Sequence, residues 1–173
     1  MAILPIIEAP HPILSQIARE VREDEFVPEL VTLLNNMAIT MYAAPGVGLA
    51  APQVGDSRRI LVADPGNDDD AIPRKLYQMV NPIVLEHSKE KINYDESCLS
   101  VPEYSQMINR YKRIHISWRA PDGSHHDEWF EEFSAIVLQH EMDHLEGITL
   151  LEHSNRIKRS RYLKRKKQRK RTI

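Results

Sequence analysis

His140, Glu141 and His144 stand in the order His-Glu-x-x-His, a spacing with a definite chemical use. On an α-helix, residues i and i+4 share a face, so two imidazoles can hold one metal ion while the intervening glutamate moves protons. With about 100° per residue and His140 at the origin, His144 lies near 40° and Glu141 near 100° on the helical wheel. Phe133, Ile136 and Val137 fall between roughly −40° and 60° on the same wheel, which puts both histidines on the apolar face. Leu138, Met142 and Leu145 extend that arc and leave Gln139, Asp143 and Glu146 as a narrow polar edge. A mostly buried helix therefore aims two imidazoles and a carboxylate inward, and buried polar groups need partners. One histidine on such a face is usually a hydrogen-bonded core residue, but the pair with its glutamate is better explained by a metal.

A catalytic metal site needs a third protein ligand and an open position for water. Downstream, the metalloprotease pattern H-E-x-x-H-x-x-G-x-x-H matches through Gly147, but Leu150 stands where the third histidine belongs. Glu146 points to the polar edge, Glu152 follows closely, and His153 has no motif behind it. Upstream, the single cysteine, Cys98, is the natural candidate. A lone cysteine is usually a small buried hydrophobe, yet Asp95-Glu96-Ser97-Cys98-Leu99-Ser100-Val101-Pro102 reads as a polar, turn-like segment. A Cys98/His140/His144 site follows, one thiolate with two neutral imidazoles.

Those residues need a frame. The chain has 173 residues, 42% hydrophobic and 28% charged, which fits one soluble globular domain. Its apolar runs are too short for a membrane span, Met1–Ile7 lacks the marks of a secretory signal, and one cysteine forms no intramolecular disulfide. A cytoplasmic location is expected. The net charge of −2 conceals an asymmetry: residues 156–173 carry eleven Lys/Arg and no acid, which leaves 12 basic against 25 acidic residues elsewhere, a net of −13.

Leu30, Leu33, Leu34, Met37 and Met41 recur at helical spacing, so a helix is expected from about Phe26 to Tyr42, with Pro28 in its first turn and Pro45-Gly46 ending it. A short helical turn is expected near Ile13–Val21. Gly46-Val47-Gly48-Leu49-Ala50-Ala51-Pro52-Gln53 follows a helix and lacks a third glycine, so it is no dinucleotide fingerprint. It is either a tight turn into a strand or a place where another backbone comes close. Arg59–Asp64 reads as a buried strand, Pro65–Arg74 with Asp68–Asp70 as a solvated loop, and Leu76–Leu85 as strand interrupted at Asn81-Pro82. Arg113–Trp118 and His125–Phe130 flank Pro121-Asp122-Gly123 as a hairpin; His125 and His126 face opposite sides of it and belong to the surface. Ser134 is the expected N-cap of the motif helix and Gly147 its C′ residue. The expected fold is α+β, a single domain with antiparallel β-sheets packed around a central helix carrying His-Glu-x-x-His. Residues 1–155 form its catalytic body. The basic tail, residues 156–173, is by default a solvated helix end; the sharper alternative is contact with a phosphate backbone.

Gly46-Val47-Gly48-Leu49-Ala50-Ala51-Pro52-Gln53, Glu96-Ser97-Cys98-Leu99-Ser100 and Gln139-His140-Glu141-Met142-Asp143-His144 together resemble the three signature motifs of the peptide deformylases, in the same order. The resemblance covers about residues 1–155. It implies a cytoplasmic hydrolase of protein biosynthesis that removes the N-formyl group from formyl-methionine of nascent polypeptides and releases formate, a step of N-terminal methionine processing. It implies a metal on Cys98, His140 and His144, Fe2+ in the first place with Ni2+, Co2+ or Zn2+ as substitutes. It further implies Glu141 as the proton carrier, the Gln53 amide and the Leu99 N–H as oxyanion donors, and Val47 and Gly48 beside the substrate backbone. The methionine pocket is expected to include Ile136 and Val137. Two departures stand out. Ser97 replaces the glycine before the cysteine, at a cost of about 1 kcal/mol if its backbone has φ > 0, and Ser105 stands where many members carry arginine. The resemblance also makes ribosome or rRNA contact by the tail an expectation. Two other readings compete: a zinc endopeptidase, disfavoured by Leu150, and a non-catalytic, ribosome-associated relative.

Overall fold

The structure, a computed structural model, describes residues 2–66 and 73–169; the Asp68–Asp70 loop expectation lies outside them. Among the described residues seven antiparallel strands form two sheets: β1 (Gly48–Ala50), β2 (Ile60–Ala63), β3 (Tyr77–His87), β6 (Arg113–Arg119) and β7 (His125–Glu131) lie in the order β1-β2-β3-β6-β7, while β4 (Lys91–Cys98) pairs with β5 (Val101–Tyr111). The helices are α1 (Pro28–Ala43), α2 (Glu132–Leu145) and α3 (Arg156–Arg169).

Strand alternation explains how the large sheet lies between helices. In β2, Leu61 and Ala63 pack with Ala135, Val137, Leu138 and Leu145 of α2, whereas Ile60 and Val62 pack with Leu30, Leu34, Met37 and Met41 of α1. Period-two exposure thus serves two apolar helix faces at once. The helix carrying His-Glu-x-x-His is central, as the α+β reading required, with Ala135, Leu138 and Leu145 at 0% exposure. A third cluster joins Cys98, Val101, Tyr104 and Ile108 to Leu150, Leu151 and Tyr162. It fastens the small sheet to the chain's C-terminal segment.

Several local expectations change. The N-cap of α2 is Glu131, and Ser134 lies inside the first turn. No loop separates β7 from the helix; the chain turns at Glu132, at φ 50°. At the other end Gly147 has φ 72°, and a Cβ there would lie 2.8 Å from the Ser15 carbonyl carbon, so the position demands glycine on two counts. Asn81 does not break β3. It adopts φ 52°, its side chain exchanges two 2.8 Å hydrogen bonds with the Val21 backbone, and the strand passes through a bulge. The segment around Cys98 is strand, not turn: β4 runs to Cys98, and the turn comes at Leu99-Ser100. Beyond the expected strands the chain forms β5, and near Ile13–Val21 it forms a 3-10 turn at Pro12–Ser15 in place of the expected helical turn.

Candidate active site

Helix α2 supplies two of the three donors and β4 the third. The ligand atoms of Cys98, His140 and His144 all lie within 4.8 Å of one another, close enough to share one ion. Cys98 Sγ is 3.2 Å from His144 Nε2. His140 turns Nδ1 to the Glu96 carboxylate at 2.7 Å, which leaves its Nε2 for the centre. The donor set itself fits a divalent ion of borderline softness with an open fourth position. The polar atoms around it agree: Glu141 Oε2 and His144 Nδ1 are buried with no hydrogen-bond partner among the described residues.

Electrostatics prime the thiol and the carboxylate. Burial pushes the Cys98 thiol up, but the flanking His144 and His140 outweigh it and bring the pKa down to about 5. Burial lowers His140, yet Cys98 and Glu96 beside it hold it well above the ordinary imidazole value. Glu141 is raised to about 7, mainly by burial, against the pull of the two histidines. A carboxylate poised near neutrality can both accept and return a proton at working pH.

The remaining motif residues converge on the same place. A cavity of about 330 Å³ is lined by Val47, Gly48, Gln53, Leu99, His140 and Glu141. Ile136 and Val137, expected in the methionine pocket, line it too. Tyr94 and Phe133, whose rings lie 5.6 Å apart, complete an apolar wall that had not been expected. Gln53 is 1% exposed; its Oε1 accepts from Ala50 N at 2.8 Å, while its Nε2 reaches Ser100 Oγ at 3.1 Å and Cys98 Sγ at 3.7 Å. Its donor is thereby aimed at the centre. At Gly48 an added Cβ would meet Glu141 Oε1 at 2.4 Å. The segment is the turn into a strand, leading from Ala44-Pro45 into β1; the group that comes close at Gly48 is the Glu141 side-chain carboxylate, not another backbone.

Residues without an assigned role complete the arrangement. Arg110 of β5 donates from Nε and Nη2 to Glu96 at 2.7 and 3.0 Å, and from Nη1 to Asp143 at 2.7 Å. The polar edge of α2 has partners: Gln139 exchanges two hydrogen bonds with the Tyr111 backbone, and the exposed Glu146 at the C-cap pairs with Arg59. Glu96 sits two residues before Cys98 in one strand and so shares its inward face, a periodicity that could have revealed it. Leu150 is 1% exposed in the third cluster, far from a ligand's role, and His153 pairs with Asp143 outside the donor group. Ser97 is not among the residues with positive φ, so the strain considered for it does not arise. Ser105, opposite Ser97 across β4–β5, receives Lys158 Nζ on its carbonyl at 2.8 Å.

Comparison with known proteins agrees. The family model described as polypeptide deformylase matches residues 3–160. The chain is similar to the peptide deformylase of Novosphingobium aromaticivorans, 42% identical over 95% of this chain and 96% of that one, and to that of Zymomonas mobilis, 42% identical over 95% and 93%. Among solved structures it resembles the Ehrlichia chaffeensis peptide deformylase at a TM-score of 0.89 and 32% identity, covering 99% and 98% of the two chains. The Thermotoga maritima enzyme matches at 0.80 and 37%, covering 87% and 96%. With the sequence matched along nearly its whole length and the fold reproduced, the chain belongs to the peptide deformylase family.

Proposed function

We propose that Cys98, His140 and His144 hold the divalent metal with which this peptide deformylase, a metallohydrolase, removes the formyl group from nascent peptides. The carrying observation is that these donors lie within 4.8 Å of one another beside a carboxylate raised to about 7. Fe2+ is the proposed ion, with Ni2+, Co2+ or Zn2+ able to replace it. When bound, such an ion supplies charge that polarises the formyl oxygen and acidifies a water.

The protein's own groups do the rest. Glu141 takes the water proton and delivers it to the departing amine, so that N-formyl peptide and water become free amine and formate. The Gln53 amide donor and the Leu99 N–H face the developing oxyanion. Gly48, on the outer edge of β1, a strand paired among the described residues to β2 alone, and Val47 just before it lie alongside an extended peptide. Ile136, Val137, Tyr94 and Phe133 enclose the methionine side chain. The body, residues 1–155, carries this chemistry; the basic segment 156–173 is proposed to meet ribosomal phosphates, in a cytosolic setting. No helix among the described residues is long and apolar enough to cross a membrane.

The test is formate release from a formyl-Met peptide by the iron- or nickel-loaded protein. Release by the wild type and its loss in Glu141→Ala are expected. No release by the wild type would overturn the assignment of activity, and release undiminished by Glu141→Ala would overturn the role of that carboxylate.

A further inference from the structure

His153 lies outside the metal-donor group, yet it occupies a defined place. It lies in the turn between α2 and α3, with its ring 29% exposed, and its Nε2 is 2.8 Å from Asp143 Oδ2. That turn is rigidly built. Leu150 and Leu151 are buried in the third cluster, Glu152 Oε2 accepts from the Thr149 N–H and Oγ1 at 2.8 and 2.6 Å, and Ser154 Oγ donates to the Leu150 carbonyl at 3.1 Å. His153 is thus presented to Asp143 by a fixed backbone.

Asp143 is one end of a continuous polar chain. The same Oδ2 that meets His153 accepts from Arg110 Nη1. The other edge of that planar guanidinium grips both oxygens of Glu96, and Glu96 Oε2 accepts in turn from His140 Nδ1. Arg110 and Glu96 are 6% and 4% exposed, so little water is available to replace a lost bond. A guanidinium is rigid; turning one edge turns the other. One cation also faces two carboxylates here, and His153 supplies the second donor to the outer one. The nearby Glu152 is engaged by Thr149 and by Arg159 at 3.0 Å and does not compete for it.

An exposed side-chain contact ordinarily contributes little. This one differs because it terminates a buried network whose inner end orients a side chain at the metal centre. We propose that His153 is a positioning residue for that centre: by holding Asp143 it sets Arg110 and Glu96, and through them the ring of His140. The proposal rests on the assignment of His140 as a metal ligand.

The experiment is release of Ni2+ from the nickel-loaded full chain to excess EDTA, followed alongside turnover of a formyl-Met peptide, for His153→Leu, His153→Gln, Asp143→Asn and the Asp143→Asn/His153→Leu pair. Glutamine retains a neutral N–H donor at similar reach; leucine does not. Expected are release about tenfold faster in His153→Leu, a lowered kcat with KM unchanged, and recovery of both in His153→Gln. In the Asp143→Asn background, His153→Leu should add no further acceleration, which also separates positioning from a general loss of folding. Release from His153→Leu within about twofold of wild type, no recovery by glutamine, or full additivity in the double variant would each overturn the proposal. His140→Ala separates the premise: if it keeps its nickel, the ligand assignment fails; if it loses nickel while His153→Leu does not, only the positioning role fails.

Discussion

Helices α2 and α3 have the same length, 14 residues, and put their charges to opposite uses. Helix α2 buries seven residues, Glu141 and His144 among them, and Gln139, His140 and Asp143 on it are held by hydrogen bonds to other elements. Helix α3 buries Tyr162 alone and leaves most of its cations in water. Charge removed from α2 leaves a buried partner uncompensated, so effects there should be large and local. Charge removed from α3 costs little in stability and should show only in salt-sensitive binding. The one buried residue of α3, Tyr162, is nonetheless consequential. The Tyr162 ring lies 5.2 Å from Tyr104, in the cluster that contains Cys98. Deleting the helix would open the floor beneath a metal donor, so substitution of exposed charges is the cleaner probe of the tail.

The contrast can be broken most severely at Cys98. Cys98→Ala should abolish stoichiometric metal binding and turnover together, as read by metal analysis of the purified protein. A variant that retained about one ion per chain would transfer the site elsewhere and revive the endopeptidase reading. Next, Glu141→Gln should keep the metal and lower kcat by about 10²–10⁴-fold. The same variant has a pH signature in the metal-free protein. The Glu141 pKa is about 7 folded against 4.5 for the free group, so the folded state holds this proton more tightly. The wild type therefore loses this contribution to stability as pH rises from 4.5 to about 7. Glu141→Gln lacks that loss, so its stability relative to wild type should climb across the window and level off above it, in urea titrations.

Gly48→Ala tests the same carboxylate from the other side. The new methyl would displace Glu141 Oε1, now 2.4 Å from the Cβ position, and kcat should fall about 10²-fold with metal content unchanged. On α3, replacing the exposed Lys164, Arg165 and Lys167 with glutamine should spare peptide turnover while reducing the salt slope of ribosome binding by about 0.9 for each phosphate no longer neutralised. An unaltered slope would dismiss the tail as an RNA contact. The smallest effect is expected at Ser97→Gly. Since Ser97 is exposed and free of positive φ, activity and melting temperature should stay within the usual range for surface substitutions, about 0.5 kcal/mol.

The legible part of the molecule is what local geometry dictates. The spacing of His140 and His144, the apolar wheel around them, helix α1, the β6–β7 hairpin and the glycine closing α2 could all be read from a few neighbouring residues, because helix and strand periods are fixed by the backbone. Combining motifs also pointed to Cys98, although its surroundings were misread: a polar stretch that looked like a turn is strand, with Glu96 turned inward to Arg110 and His140. The strand β5 is not legible in the sequence because Pro102 and a mixed composition mask the alternation of Tyr104, Ile108 and Arg110.

By itself the sequence determined that two imidazoles and a carboxylate share a helix face, that one cysteine was available to join them, and that positive charge gathers at the C-terminal end. Tertiary structure alone decided that Gly48 lies under Glu141, that Gln53 aims at Cys98, and that the run from Glu96 through Arg110 and Asp143 to His153 is continuous. The reason is separation along the chain. A helix sets the distance between residues four apart, whereas pairings between residues 14, 33, 44 or 46 positions apart exist only once the sheets have packed.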